Sequence, residues 1–219
     1  MTYPRRLFAL RFALPRRAPR FALPRRALLL SAALLLAGCA SPVELRYVTL
    51  APADPPAARG DGPSLAVGPV TLPDYLLRGD LAERSGPHRI SYRRDRRWAE
   101  PLDHGIQRVL VANLAARLDS AAIREFPGPG PAADHRVSLR VHRFEAEAGR
   151  AVAVVDWTLH GGSGEGALAH GTFEAGETLG DERAATQAAA LSALLSDLAA
   201  VIAAAVKDAG TGPGSAVRG

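Results

Sequence analysis

Cys39 is the only cysteine in this 219-residue chain, and it closes the run Leu34-Leu35-Leu36-Ala37-Gly38. An apolar stretch from Ala27 to Ala37 precedes it, and before that come eight arginines with no acidic residue. A positive n-region, a short apolar h-region and small residues at a cut site make a secretory signal. The eleven residues of this stretch rise about 1.5 Å each, or about 16 Å, roughly half of a ~30 Å hydrocarbon core, so the run is too short to span. An exported domain with no second cysteine forms no internal disulfide. It must hold itself together by burying a core, which constrains its fold more than any other feature.

The small residues end in Ala-Gly-Cys, so the segment resembles a lipobox, with cleavage before Cys39 and a lipid attached to its sulfur. Residues 1–38 are then a signal peptide, residues 39–208 a single domain and residues 209–219 a Gly-rich mobile tail. The n-region repeats Phe-Ala-Leu-Pro-Arg-Arg-Ala at 12–18 and 21–27, which reads as a misplaced start or as a duplicated, tolerated n-region. Removing the signal reverses the charge. The whole chain carries +5, but eight of its 27 basic side chains lie in the signal, leaving nineteen against 22 acidic ones. No nucleic-acid partner is implied.

The periodicities describe a layered domain. Strands are expected at Leu45–Leu50, Ser64–Val70, Leu81–Arg84, Ile90–Tyr92 and Ala121–Phe126, with a turn or single helical turn at Leu72–Leu77. Residues 51–63 are rich in Pro, Ala and Gly and read as a loop. Pro101 opens a helix whose apolar face is Leu102, Ile106, Val109, Leu110, Leu114 and Leu118. Strands at Arg136–Glu145, Ala151–Leu159 and Ala167–Glu174 form an antiparallel meander. Phe144 has the wrong parity for the first of them, which calls for a bulge. An alanine-rich helix, Asp181–Val206, places Leu191, Leu194, Leu195, Leu198, Ile202 and Val206 along one stripe. Two amphipathic helices and this many strands make an α/β or α+β domain, with the helices covering a sheet.

Catalytic signatures are missing. Ser163 lies in Gly161-Gly162-Ser163-Gly164, but Glu165 breaks the nucleophile-elbow spacing and no phosphate-loop ending follows, so a hairpin turn accounts for the run. The six histidines never reach metal-ligand spacing, so no metal site is assigned. Arg93, Arg94, Arg96 and Arg97, interrupted by Asp95 and followed by Trp98, admit two readings. They are a surface for headgroup phosphates or an acidic partner, or they are a solvated loop with Trp98 turned inward near Leu102.

Val67-Gly68-Pro69-Val70-Thr71-Leu72-Pro73-Asp74-Tyr75-Leu76, Arg97-Trp98-Ala99-Glu100-Pro101-Leu102 and the later Arg143-Phe144-Glu145, behind a lipobox, resemble the ABC-type transport auxiliary lipoproteins, the family of paraquat-inducible protein C. The resemblance implies a three-layer α/β/α domain around a mixed, largely antiparallel sheet, with no catalytic residue and no cofactor beyond the diacylglycerol and N-acyl lipid on Cys39. It also implies a periplasmic domain working with an MCE-type or ABC-type lipid transport system. Ala40 and Ser41 after the cysteine, without an inner-membrane retention Asp, favour the outer membrane by analogy. A homo-oligomer is compatible with this. The expected partner surface is Leu72, Pro73, Asp74 and Tyr75 with Arg93, Arg94, Arg96, Arg97 and Trp98. The competing reading is a carrier that binds a lipid in its own cavity.

Overall fold

Strand β6 (His135–Glu147) organises the sheet. The computed structural model describes residues 44–53, 60–162 and 166–211. The signal, Cys39, Ser163 with Gly164 and Glu165, and residues 212–219 lie outside the described residues. One edge of β6 pairs along its length with β7 (Arg150–Gly161), and β7 pairs with β8 (Ala167–Thr178), both antiparallel. This is the expected meander. Ala148 and Gly149, at φ 48° and 76°, form the two-residue turn between β6 and β7. Such a turn needs positive φ at both positions, which Gly149 adopts freely and Ala148 does not. The register slips between Val141 and Arg143. That bulge returns Phe144 to the buried side with Val137, Leu139 and Val141, resolving its parity.

The other edge of β6 is shared. Its first half pairs in parallel with β2 (Leu65–Thr71), and its last residues pair in parallel with β3 (Asp80–Arg84). From β2 the sheet continues to β5 (Ile123–Glu125), again in parallel. From β3 it continues antiparallel to β4 (Ile90–Trp98) and then in parallel to β1 (Arg46–Val48). The eight-stranded sheet is therefore mixed, with its two longest pairings, β6–β7 and β7–β8, antiparallel, as the α/β expectation required.

Helices α1 (Leu102–Leu118) and α2 (Ala184–Gly210) supply the rest of the core. Pro101 is the cap residue of α1 and Leu102 its first helical residue, one position later than the sequence suggests. Helix α2 begins three residues after Asp181, whose carboxylate accepts from the Arg183 backbone N–H at 2.8 Å and the Thr186 hydroxyl at 2.6 Å. It is long and apolar enough to cross a membrane, but its stripe from Leu191 to Val206 is buried in this domain. It also runs on to Gly210, into the start of the expected tail.

The two helices lie side by side and touch directly. Arg117 Nη2 on α1 donates to Ser196 Oγ on α2 at 2.7 Å. Helices in direct contact are about 8–10 Å apart, which leaves no room for a sheet between them. The expected placement of a helix layer on each side of the sheet is therefore replaced by two helices packed together. Arg140, His142 and Thr172 are exposed along the meander.

A strap runs from β1 onto both helices. Arg108 Nη2 donates to the Leu50 carbonyl at 2.9 Å, Ser192 Oγ accepts the Ala51 N–H at 3.1 Å, and Asn113 Oδ1 accepts the Ala53 N–H at 3.1 Å. Leu50 itself is buried.

Candidate functional site

Glu145 is fully buried yet ionised, because every face of its carboxylate meets a donor. The Tyr75 hydroxyl donates to Oε2 at 2.7 Å, and the Phe144 backbone N–H reaches the same oxygen at 3.0 Å. Arg84 Nε at 2.8 Å and Arg143 Nε at 3.0 Å both donate to Oε1. Burial pushes the carboxyl upward, but the bonds from Tyr75, Arg84, Arg143 and the Phe144 N–H outweigh it and hold the group below its usual range. Burial, and then the negative Glu145, push the Tyr75 phenol well above its ordinary value.

Each partner arrives for a local reason. Pro73, at φ −68°, opens a 3-10 turn over Asp74–Leu76, and Leu76 N–H closes it on the Pro73 carbonyl at 2.9 Å. Leu72 and Leu76 are buried on either side, which aims Tyr75 between them at the sheet. Arg84 ends β3, and Arg143 follows the β6 bulge. Arg143 also donates to Glu147 Oε2 at 2.7 Å. Tyr92 on β4 donates to the Tyr75 carbonyl at 3.0 Å, and the Arg78 guanidinium stands 4.7 Å from the Tyr92 ring centre. The cluster clamps a surface turn to the sheet. A carboxylate with all its acceptor positions taken has no lone pair left for proton abstraction.

The arginine run is a strand, which corrects both the expected end of β4 at Tyr92 and the solvated-loop reading. Asp80 pairs with Arg97 and Ala82 with Tyr92, so β3 advances two residues while β4 advances five. The extra residues form a bulge, which re-aims side chains. Arg97 Nε is 2.8 Å from Asp80, Arg96 bonds the Glu182 carbonyl and Arg93 is 3.9 Å from Glu182. Arg94 is exposed, with no ion pair among the described residues.

Leu72 and Trp98 need the plainest correction, because both are in the core and present nothing to a partner. Tyr75 and Arg96 are tied inward, and Arg97 is bonded to Asp80 with its side chain part-exposed. Pro73, Asp74, Arg93 and Arg94 remain outward, joined by Leu77, whose side chain is 59% exposed. Tyr92 brings the turn and the β4 bulge into one neighbourhood.

The other motif residues are structural. A β-carbon on Gly68, at φ 124°, would lie within 2.1 Å of the Phe126 carbonyl oxygen. Gln107 Nε2 bonds that oxygen at 2.8 Å and the Val67 carbonyl at 2.7 Å. Glu100 takes Arg108 Nη2 at 2.5 Å and the Thr49 hydroxyl at 3.0 Å, and the Arg108 bond lowers its pKa.

Two features escape sequence reasoning because they are assembled across strands. A cleft of about 810 Å³ is lined by Arg84, Arg143 and Arg150 together with Glu83, Glu147 and Glu174. Asp156 on β7 accepts His142 Nε2 at 2.6 Å and the Thr172 hydroxyl at 2.7 Å on the exposed side of the meander. Among the described residues no cluster of three metal-ligating side chains occurs.

Residues 47–203 match the family model for ABC-type transport auxiliary lipoprotein components. The crystal structure of an uncharacterized protein superposes with a TM-score of 0.63 at 19% identity, covering 74% of this chain and 99% of that one. A Xanthomonas campestris protein of the DUF330 family gives 0.59 at 20% identity, with 76% and 93% covered. A PelC dodecamer from Paraburkholderia phytofirmans aligns more loosely, at 0.40 and 16% identity over 70% of this chain and 93% of that one. No curated protein matches.

Proposed function

Because the chain belongs to the family of ABC-type transport auxiliary lipoprotein components, we propose that it is a non-enzymatic docking subunit, held by lipid on Cys39 at the periplasmic side of the outer membrane. It engages an MCE-domain or ABC-type subunit that moves lipid between the two membranes. Three acyl chains, at about 0.8 kcal/mol per buried CH₂, make a stable anchor. Confinement to the membrane then raises the concentration of the docking surface seen by its partner.

The observation that carries this reading is the Glu145 clamp. It fixes the Leu72–Leu77 turn from beneath through Tyr75, so that Pro73, Asp74 and the exposed Leu77 are offered in one geometry. A loop held rigid by its scaffold loses little entropy when it binds. The carrier reading fares worse in this cleft, because three arginines and three glutamates stand among its lining residues and acyl chains seated there would desolvate them. Mass spectrometry of the purified Cys39→Ala chain separates the two. Docking predicts no stoichiometric co-purified lipid, and one lipid per chain contradicts it.

A further inference from the structure

We propose that the β1 edge, with the groove between β1 and α2, rests on the headgroup layer of the membrane that anchors the chain. This rests on the Cys39 anchor reading and adds an orientation to it. Seven residue steps separate Cys39 from Arg46. An extended chain spans at most about 3.6 Å per residue, so Arg46, the first residue of β1, stays within about 25 Å of the Cys39 α-carbon.

The strand cannot drift from the domain. It pairs with Arg96–Trp98, Ala99 N–H donates to the Val48 carbonyl at 2.8 Å, and the Arg108 and Ser192 bonds fix the residues that follow. Whatever β1 exposes is therefore held close to the bilayer.

What it exposes suits that layer. Leu45 and Tyr47 are 47% and 59% exposed, and Arg46 between them is exposed as well. The adjoining groove, about 480 Å³, is lined by Tyr47, Val48, Ala51, Ala188 and Ala189 among others, with no charged side chain. An amphipathic tyrosine ring favours the membrane–water boundary, and a guanidinium beside it pairs with phosphodiesters. Strand β8 lies at the other end of the order β1-β4-β3-β6-β7-β8. Five strand spacings put it about 24 Å away. Its exposed Leu168 provides an internal control.

The test uses the mature lipidated chain in vesicles of phosphatidylethanolamine and phosphatidylglycerol. Leu45→Cys, Tyr47→Cys and Leu168→Cys are labelled singly with a polarity-sensitive fluorophore, since lipidated Cys39 leaves no competing thiol. The expected result is a blue shift at 45 and 47, with quenching by nitroxide-bearing lipids, and neither at 168. Equal, weak quenching at all three positions overturns the proposal. So does a blue shift at 45 and 47 that lipid nitroxides leave unquenched and that grows with protein density, which would assign the edge to a second copy. The anchor reading is judged separately, by whether Cys39→Ser abolishes co-flotation with the vesicles.

Discussion

The Tyr75 hydroxyl stands 2.7 Å from Glu145 Oε2, joining the turn after β2 to the end of β6 across seventy residues of sequence. Glu145 is the centre of that contact. Glu145→Gln removes the negative charge while leaving Arg84 and Arg143 beside it, and breaking a buried ion pair in this way costs about 3–5 kcal/mol when the partners are fully buried. Both arginines here reach some solvent, so about 2–3 kcal/mol is expected in urea unfolding. The pH dependence follows from the lowered carboxyl. Its stabilisation is complete above the ordinary value of 4.5 and is lost as pH falls through the lower folded value. Glu145→Gln should flatten the acid limb of the stability profile, and a profile unchanged from wild type would contradict the clamp.

Tyr75→Phe keeps the ring and the charges and removes the hydroxyl, which reaches Glu145 Oε2 at 2.7 Å and the His142 carbonyl at 3.1 Å. A loss of about 1 kcal/mol is expected. The more specific readout is hydrogen exchange at Leu76 and Leu77, whose N–H groups bond the Pro73 and Asp74 carbonyls. Their exchange should quicken while β7 stays protected. Equal acceleration throughout would mean the tyrosine supports the whole fold and not the turn.

Gly68→Ala meets two obstacles, a positive φ and a carbonyl oxygen 2.1 Å from the new β-carbon. Strain of about 1–3 kcal/mol is expected from the backbone alone. The clash adds to it, so thermal unfolding should show one of the larger single-site losses in this chain. A melting temperature close to wild type would show that β2 and the Phe126 segment can separate.

Much of the fold was legible because periodicity is a local signal. The meander, both helices and the bulge before Phe144 follow from which side each residue must face. Layering was not legible, since an apolar stripe does not say whether it packs on a sheet or on another helix. The Arg117–Ser196 bond that settles this for α1 and α2 lies between side chains 79 positions apart. At the candidate site, the Pro73-Asp74-Tyr75 and Arg143-Phe144-Glu145 segments were visible as motifs, but nothing local joined them. The arginine run misled for a related reason. Its charge suggested a loop, while the bulge let a strand carry it.

Trp98 and Arg94 separate core from surface within one strand. Trp98→Ala should cost about 3–5 kcal/mol, as large aromatic deletions do. Arg94→Glu, at an exposed position with no ion pair among the described residues, should change stability by less than about 0.5 kcal/mol. Guanidinium denaturation of the two variants checks both values. A severe loss from Arg94→Glu would move that side chain out of the proposed docking surface and into the fold.

The docking role is tested most directly by affinity purification of the tagged, lipidated chain from its own cell envelope, comparing wild type with a Leu77→Asp, Arg94→Glu variant of normal stability. An MCE-domain or ABC transporter subunit should co-purify with wild type and be depleted with the variant. Equal recovery with both, or no such subunit with wild type after crosslinking, would contradict it.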